Sequence, residues 1–216
     1  YITGKQEFWS LEFNVGPSVL IPRPETEILV ERASDYIGKN TAYILDLGTG
    51  SGAIAVSLAH ECPSIAVTAV DRSLKALETA RNNALKHNVA DRVAFVASDL
   101  FSAFIAGGAQ WDIIVSNPPY IGDEEFPTLA PEVALHEPRE ALLGHGPRGM
   151  GIINRILQEA PRHLKPGGRL LMEFGFNQSE PLEQRLLRLG FPRQRFQFIR
   201  DYSGIPRVLD LSILNR

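Results

Sequence analysis

Cysteine occurs once in the 216 residues, at Cys62, so no disulfide can form within the chain. Nothing in that usage asks for an oxidising compartment, and a cytoplasmic location is the expectation. Also missing is any apolar run of about 18 residues, the least a membrane-spanning helix needs. The first nine residues, Tyr1 to Trp9, have neither the basic start nor the apolar stretch of a secretion signal. Cationic excess is absent too: Lys and Arg number 22 against 25 Asp and Glu, a formal net charge of -3. A polyanion is therefore not attracted globally, and no direct nucleic-acid partner is expected. The five histidines, His60, His87, His136, His145 and His163, show no i, i+4 pair enclosing a glutamate, and there is no cysteine cluster. No metal is expected.

What the chain does have is 44% hydrophobic residues, enough for one large core. From Tyr43 onward, short β-branched runs alternate with helical patterns, as strands do when they cross over through helices into a mostly parallel sheet. Strands are predicted at Tyr43–Leu47, Ala66–Val70, Val93–Ala97, Trp111–Ser116 and Arg169–Phe174. Helices are predicted at Ala53–Glu61, Leu74–His87, Ile152–Leu164 and Leu182–Leu189, with Lys165-Pro166-Gly167-Gly168 closing the third of these. Two last strands, Arg195–Ile199 and Val208–Leu214, flank a short turn, which makes the final strand antiparallel. Ahead of this α/β unit, assigned to residues 41–216, Glu7–Val19 reads as a small hairpin and Glu25–Ile37 as a helix after Pro22-Arg23-Pro24, within an extension over residues 1–40. The stretch from Gly122 to Arg148 is polar, and His136-Glu137-Pro138 within it reads as a solvated loop.

Asp46-Leu47-Gly48-Thr49-Gly50-Ser51-Gly52 joins the first strand to its helix, where glycines let backbone amides approach a ligand. Asp71 ends the second strand, from which a carboxylate can accept both hydroxyl protons of a ribose. Gly50 to Ala55 also satisfies the loose dinucleotide-binding pattern, so a nicotinamide cofactor competes. Asp46 tilts the balance: an acid there suits a cationic amino group and repels a pyrophosphate, which favours S-adenosylmethionine. Asp99 is placed to bond the adenine amino group, with Leu100 and Phe101 covering its faces; core packing is the competing reading for Phe101.

Asn117-Pro118-Pro119-Tyr120 ends the fourth strand at the same cleft. The Asn117 side-chain oxygen and the Pro118 carbonyl, held by the rigid Pro-Pro backbone, offer two acceptors to a planar nitrogen bearing two hydrogens. Acceptors that strengthen as positive charge develops favour the transition state over the ground state. The Tyr120 ring is expected against the acceptor plane or the sulfonium. A surface turn is the bland alternative for this tetrapeptide.

Taken together these residues resemble the HemK/PrmC family of methyltransferases, which modify the glutamine amide of the Gly-Gly-Gln motif in peptide-chain release factors. The resemblance is chain-wide: Tyr1-Ile2-Thr3-Gly4 with Glu7-Phe8-Trp9, Ile21-Pro22-Arg23-Pro24-Glu25-Thr26-Glu27, the Gly loop, Ser98-Asp99-Leu100-Phe101, the Asn-Pro-Pro-Tyr turn, and Asp201-Tyr202-Ser203-Gly204-Ile205-Pro206-Arg207. The Gly loop and the Asn-Pro-Pro-Tyr turn recur in nucleic-acid amino-group methyltransferases. The Pro-Arg-Pro-Glu-Thr-Glu segment and the Asp201–Arg207 segment discriminate, and the former also separates the chain from the sister enzyme acting on a ribosomal protein. The resemblance implies a class I methyltransferase fold with a seven-stranded sheet and helices on both faces. It further implies S-adenosylmethionine at Gly48 to Gly52, Asp71 and Phe101, and a glutamine at Asn117 to Tyr120. Such proteins usually carry an N-terminal helical domain, and this chain opens where the linker from it would end. A nucleic-acid methyltransferase and a cofactor-binding scaffold without catalysis remain the alternatives.

Overall fold

In the computed structural model, residues 3–108 and 110–213 are described. The predicted strand through Leu214 and the Tyr1-Ile2 part of the resemblance therefore extend outside the described residues. A hairpin comes first, β1 (Lys5–Phe8) and β2 (Leu11–Asn14), joined through Trp9 and Ser10. Both turn residues have positive φ, 51° and 57°, the backbone that matches the twist of a two-residue hairpin. A single 3-10 turn at Pro24–Thr26 leads into α1 (Glu27–Ile37), so the predicted helix starts two residues late because Pro24 and its neighbours wind more tightly.

The main sheet has seven strands in the order β5-β4-β3-β6-β7-β9-β8. They are β3 (Ala42–Leu47), β4 (Ile65–Asp71), β5 (Val93–Ala97), β6 (Trp111–Ser116), β7 (Leu164–Glu173), β8 (Phe196–Arg200) and β9 (Pro206–Ser212). All neighbours pair in parallel except β9, which lies antiparallel between β7 and β8. Crossovers are made by α2 (Ala53–Glu61), α3 (Leu74–Lys86) and α6 (Gly151–Glu159), with α7 (Ser179–Arg188) before β8.

Along β3 the side chains alternate between two cores, with Ala42 and Ile44 on one face and Leu45 and Leu47 on the other. The first face is covered by α1, α2 and α3, and Phe8 and Phe13 of the hairpin join that same core. The second is covered by Ile153, Ile156 and Leu157 of α6 and Leu182 and Leu186 of α7. Burying a Leu, Ile or Phe side chain is worth about 1.5–3 kcal/mol each, so these two layers supply most of the driving force.

Three expectations need correction. The helix predicted through Leu164 stops at Glu159, where Pro161 has no N–H to continue it and a 3-10 turn takes over. Lys165 to Gly168 does not close a helix but lies within β7, beside a register shift between Trp111 and Ile113. The polar stretch after β6 is also more ordered than the sequence suggested, holding α4 (Pro131–His136) and α5 (Arg139–Leu142).

The chain runs from β3 outward through β4 and β5, then returns to place β6 on the other flank of β3. Parallel strands whose connections diverge this way leave a crevice at their carboxyl ends, and the loops after β3 and β6 open into it.

Candidate active site

A cavity of ≈ 190 Å³ occupies that crevice. It is lined by Gly48, Thr49, Gly50 and Ser51 after β3, Asp71 after β4, Asp99 and Leu100 after β5, and Asn117 and Pro119 after β6. Residues from four separate strand ends, as the sequence predicted, thus converge on one space. Thr26 and Pro138 line it as well.

The Gly loop is built to leave room. Gly48 and Gly50 have φ of 73° and 55°, and a Cβ on Gly48 would meet nothing within 4 Å. Asp71 organises the loop: Oδ2 accepts from the Gly50 amide at 2.9 Å and Oδ1 from the Ser73 amide at 2.9 Å. Each carboxylate oxygen keeps capacity for a further donor. The open glycine cradle and the acid at the end of β4 fit a nucleoside-bearing cofactor. Leu100, held at a φ of 50°, presents an apolar wall. Asp99 takes a two-pronged contact from Arg155 of α6, 3.2 and 2.9 Å, which fixes its carboxylate at the cavity edge.

Three residues assigned to the cofactor lie elsewhere. Phe101 is 2% exposed, stacks on His163 at 4.6 Å and belongs to the second core; core packing, the competing reading, is the observed one. Gly52 is needed for packing, since a Cβ there would come within 3.0 Å of Ala80 Cβ on α3. Asp46 is 0% exposed beneath the loop, where the Thr49 hydroxyl donates to Oδ2 at 2.7 Å. Burial pushes its carboxyl up to about 7. Asp46 therefore supports the loop from below, and the charge argument that had singled out a cationic ligand is not carried by this structure.

The Asn-Pro-Pro-Tyr turn divides in a similar way. Asn117 and Pro119 face the cavity, whereas Pro118 is buried and the Tyr120 ring packs against the second core. The Tyr120 hydroxyl donates inward to Glu173 Oε1 at 3.2 Å, so its ring is not free to lie over a ligand. Burial, with the nearby Glu173 charge, raises the Tyr120 pKa and keeps it a hydrogen-bond donor.

Several residues were not foreseen. Asn117 Nδ2 donates to Thr26 Oγ1 at 3.0 Å, and Thr26 Oγ1 donates to Glu173 Oε2 at 2.7 Å. Gln178 donates to the carbonyls of Tyr120, 2.8 Å, and Arg148, 2.6 Å, while its oxygen accepts from the Gly175 amide. Asn83 of α3 ties the hairpin to the Gly loop, donating to the carbonyls of Asn14 and Ser51 at 3.0 and 2.9 Å. Glu137, in the loop read as solvated, is 7% exposed and paired with Arg23, and its neighbour Pro138 reaches the cavity.

The methyltransferase small domain family matches residues 24–147. A release factor glutamine methyltransferase of Koribacter versatilis is 46% identical over 210 residues, covering 97% of this chain and 72% of the relative. One from Salmonella typhimurium is 45% identical over 208 residues, 96% of this chain and 73% of the relative. Among solved structures, a release-factor-specific protein-(glutamine-N5) methyltransferase from Alicyclobacillus acidocaldarius matches with a TM-score of 0.53 and 30% identity, covering 94% of this chain and 99% of that one. A methyltransferase from Pyrococcus furiosus shares the fold, with a TM-score of 0.66 at 20% identity over 94% of this chain and 88% of that one. Near-complete coverage at more than two-fifths identity, on a class I methyltransferase sheet, places the chain: it belongs to the release factor glutamine methyltransferase family.

Proposed function

We propose that this chain transfers a methyl group from S-adenosylmethionine to the side-chain amide nitrogen of the glutamine in a Gly-Gly-Gln loop of peptide-chain release factors, in the cytoplasm. The observation that carries the reading is the setting of Asn117, which borders the same cavity as the Gly loop and has its amide nitrogen already engaged by Thr26. That engagement leaves Oδ1 as the free acceptor for an incoming N–H.

Gly48 to Ser51, Asp71, Asp99 and Leu100 are the residues that would hold the cofactor. When bound, S-adenosylmethionine supplies a methyl group activated by a sulfonium. The protein's task lies with the acceptor, because an amide nitrogen delocalises its lone pair into the carbonyl and is a poor nucleophile. Asn117 Oδ1 and the Pro118 carbonyl accept the two amide hydrogens and hold the nitrogen in place. Their bonds strengthen as the nitrogen gains positive charge, which lowers the barrier without a strong base; one of the two N–H bonds then breaks and its proton passes to solvent, leaving a neutral N-methyl amide. Alignment of the two reactants supplies much of the remainder. No helix among the described residues is long and apolar enough to cross a membrane.

The test is incubation with methyl-labelled S-adenosylmethionine and a peptide-chain release factor, followed by digestion. Label on glutamine in the Gly-Gly-Gln peptide supports the proposal. Label entering adenine or guanine of added RNA or DNA, or no transfer at all, overturns it.

A further inference from the structure

Proton counting in the core fixes how Asn117 is turned. Glu173 ends β7, is 2% exposed, and receives hydrogen bonds on both carboxylate oxygens, from Thr26 and from Tyr120. Thr26 has one hydroxyl proton and gives it to Glu173. Toward Asn117 it therefore has only lone pairs, and it must meet the amide nitrogen. The amide oxygen is then the atom left for the cavity, which both Thr26 and Asn117 border. The three residues come from the turn before α1, the end of β6 and the end of β7, so the arrangement exists only in the folded chain.

We propose that Glu173 is a positioning residue: its ionised carboxylate, acting through Thr26, holds Asn117 with its oxygen toward the substrate amide. This rests on the glutamine-methylating function given above. Protonated Glu173 can donate to Thr26, whose hydroxyl is then free to donate to Asn117 Oδ1. The amide turns over and presents its N–H₂ to the cavity, where a substrate N–H finds a donor and is repelled.

Burial pushes the Glu173 carboxyl up to about 7, a range in which it can change state. The groups facing it are Tyr120 and Thr26, which donate to it, Arg207 of β9, which favours the charged form, and Glu25 beside Thr26, which opposes it. Arg23 acts on neighbouring Tyr120. Transfer should therefore fall as pH drops through the Glu173 titration and be fully present above it.

Two readouts test the relay. The first is the side-chain amide resonance of Asn117 in ¹⁵N-labelled protein with S-adenosylhomocysteine present, followed from pH 8 to pH 5.5. It should move with the Glu173 titration in the parent protein and stay still in Thr26→Val and in Glu173→Gln. The second is kinetic. Thr26→Val should lower kcat by about 10- to 100-fold, with S-adenosylhomocysteine affinity changed by less than about threefold. Thr26→Ser, which keeps the hydroxyl, should restore most of the rate. Glu173→Gln should lose the acid limb of the pH profile. An Asn117 resonance indifferent to pH, or one that still moves in Thr26→Val, overturns the proposal whether or not the parent methylates glutamine. So does a kcat in Thr26→Val equal to the parent's. A parent that transfers no methyl group to glutamine while its Asn117 resonance follows the titration supports the relay and refutes only the function.

Discussion

Gly149 runs so close to Tyr120 that a Cβ on it would sit 2.1 Å from the Tyr120 carbonyl oxygen. Gly144 is equally constrained, its Cβ position lying 2.7 Å from the Pro119 carbonyl oxygen. The Asn-Pro-Pro-Tyr turn is thus braced from behind by a glycine-rich strap, with Gln178 bridging the carbonyls of Tyr120 and Arg148. A substitution at Gly144 or Gly149, neither of which lines the cavity, therefore acts on the turn from behind.

Gly149→Ala should accordingly damage both fold and activity. Its φ is 67°, where an L side chain costs about 1–2 kcal/mol before any clash is counted. Relief of the clash requires the turn or the strap to shift. A loss of at least about 2 kcal/mol is expected, which lowers the melting temperature by roughly 4–8 °C in a chain of this size. Thermal unfolding and methyl transfer are the measurements. A variant that melts and turns over like the parent would show that the strap gives way freely.

Asn117→Ala separates binding from transfer. The side chain serves the acceptor in the proposed mechanism, so kcat/KM should fall by roughly 100-fold or more while S-adenosylhomocysteine affinity changes far less. Equal losses in both would assign Asn117 chiefly to the cofactor.

The reach of the sequence can be judged from these same residues. β3 to β6 are short apolar runs between turn signals and were legible as strands, whereas the first half of β7, Leu164 to Gly168, carries the turn signals itself and was not. The loops after β3, β4 and β6 were legible as site elements because their position at strand ends is a property of the fold class. What local pattern cannot show is the direction in which a side chain points once a loop folds. Asp46, Phe101 and Tyr120 all sit in site segments, yet each turns into the protein. The relay was hidden for another reason: Thr26 and Glu173 are 147 positions apart. A signal for Glu173 did exist, since an acid closing the apolar run Leu170-Leu171-Met172 occupies the same strand-end position as Asp71. A buried charge there needs a reason. The end of the helix at Glu159 was likewise readable from Pro161, whose missing N–H outweighed the continuing apolar pattern.

Burial of Asp46 makes a pH prediction with a definite sign. Its folded pKa, about 7, lies above the ordinary 3.8, so between those values the folded state holds a proton that the unfolded state has lost. The stability this contributes is complete below the unfolded value and disappears as pH rises through about 7. Asp46→Asn is neutral at every pH and keeps an oxygen for the Thr49 hydroxyl. Relative to the parent, the variant should gain roughly 2–4 kcal/mol between pH 4.5 and pH 8. Glu173 shifts in the same direction but is common to both proteins and cancels in the difference. Urea unfolding at intervals across that range is the measurement. A difference that stays flat with pH would mean that Asp46 is ionised in the fold.

Asp71 offers the clearest separation of loop architecture from catalysis. Its two oxygens accept the Gly50 and Ser73 amides, and an asparagine can offer an oxygen to only one of them. The other backbone N–H then faces the asparagine N–H₂, and the proposed cofactor site loses one acceptor as well. Asp71→Asn is therefore expected to weaken S-adenosylhomocysteine binding by about 10- to 100-fold, corresponding to about 1.4–2.7 kcal/mol. Asn117, Thr26 and Glu173 are untouched, so kcat at saturating cofactor should stay within a few-fold of the parent while the cofactor KM rises. Calorimetric titration and saturation kinetics together decide the matter. If kcat collapses and affinity holds, Asp71 governs the reacting geometry and not the seating of the cofactor.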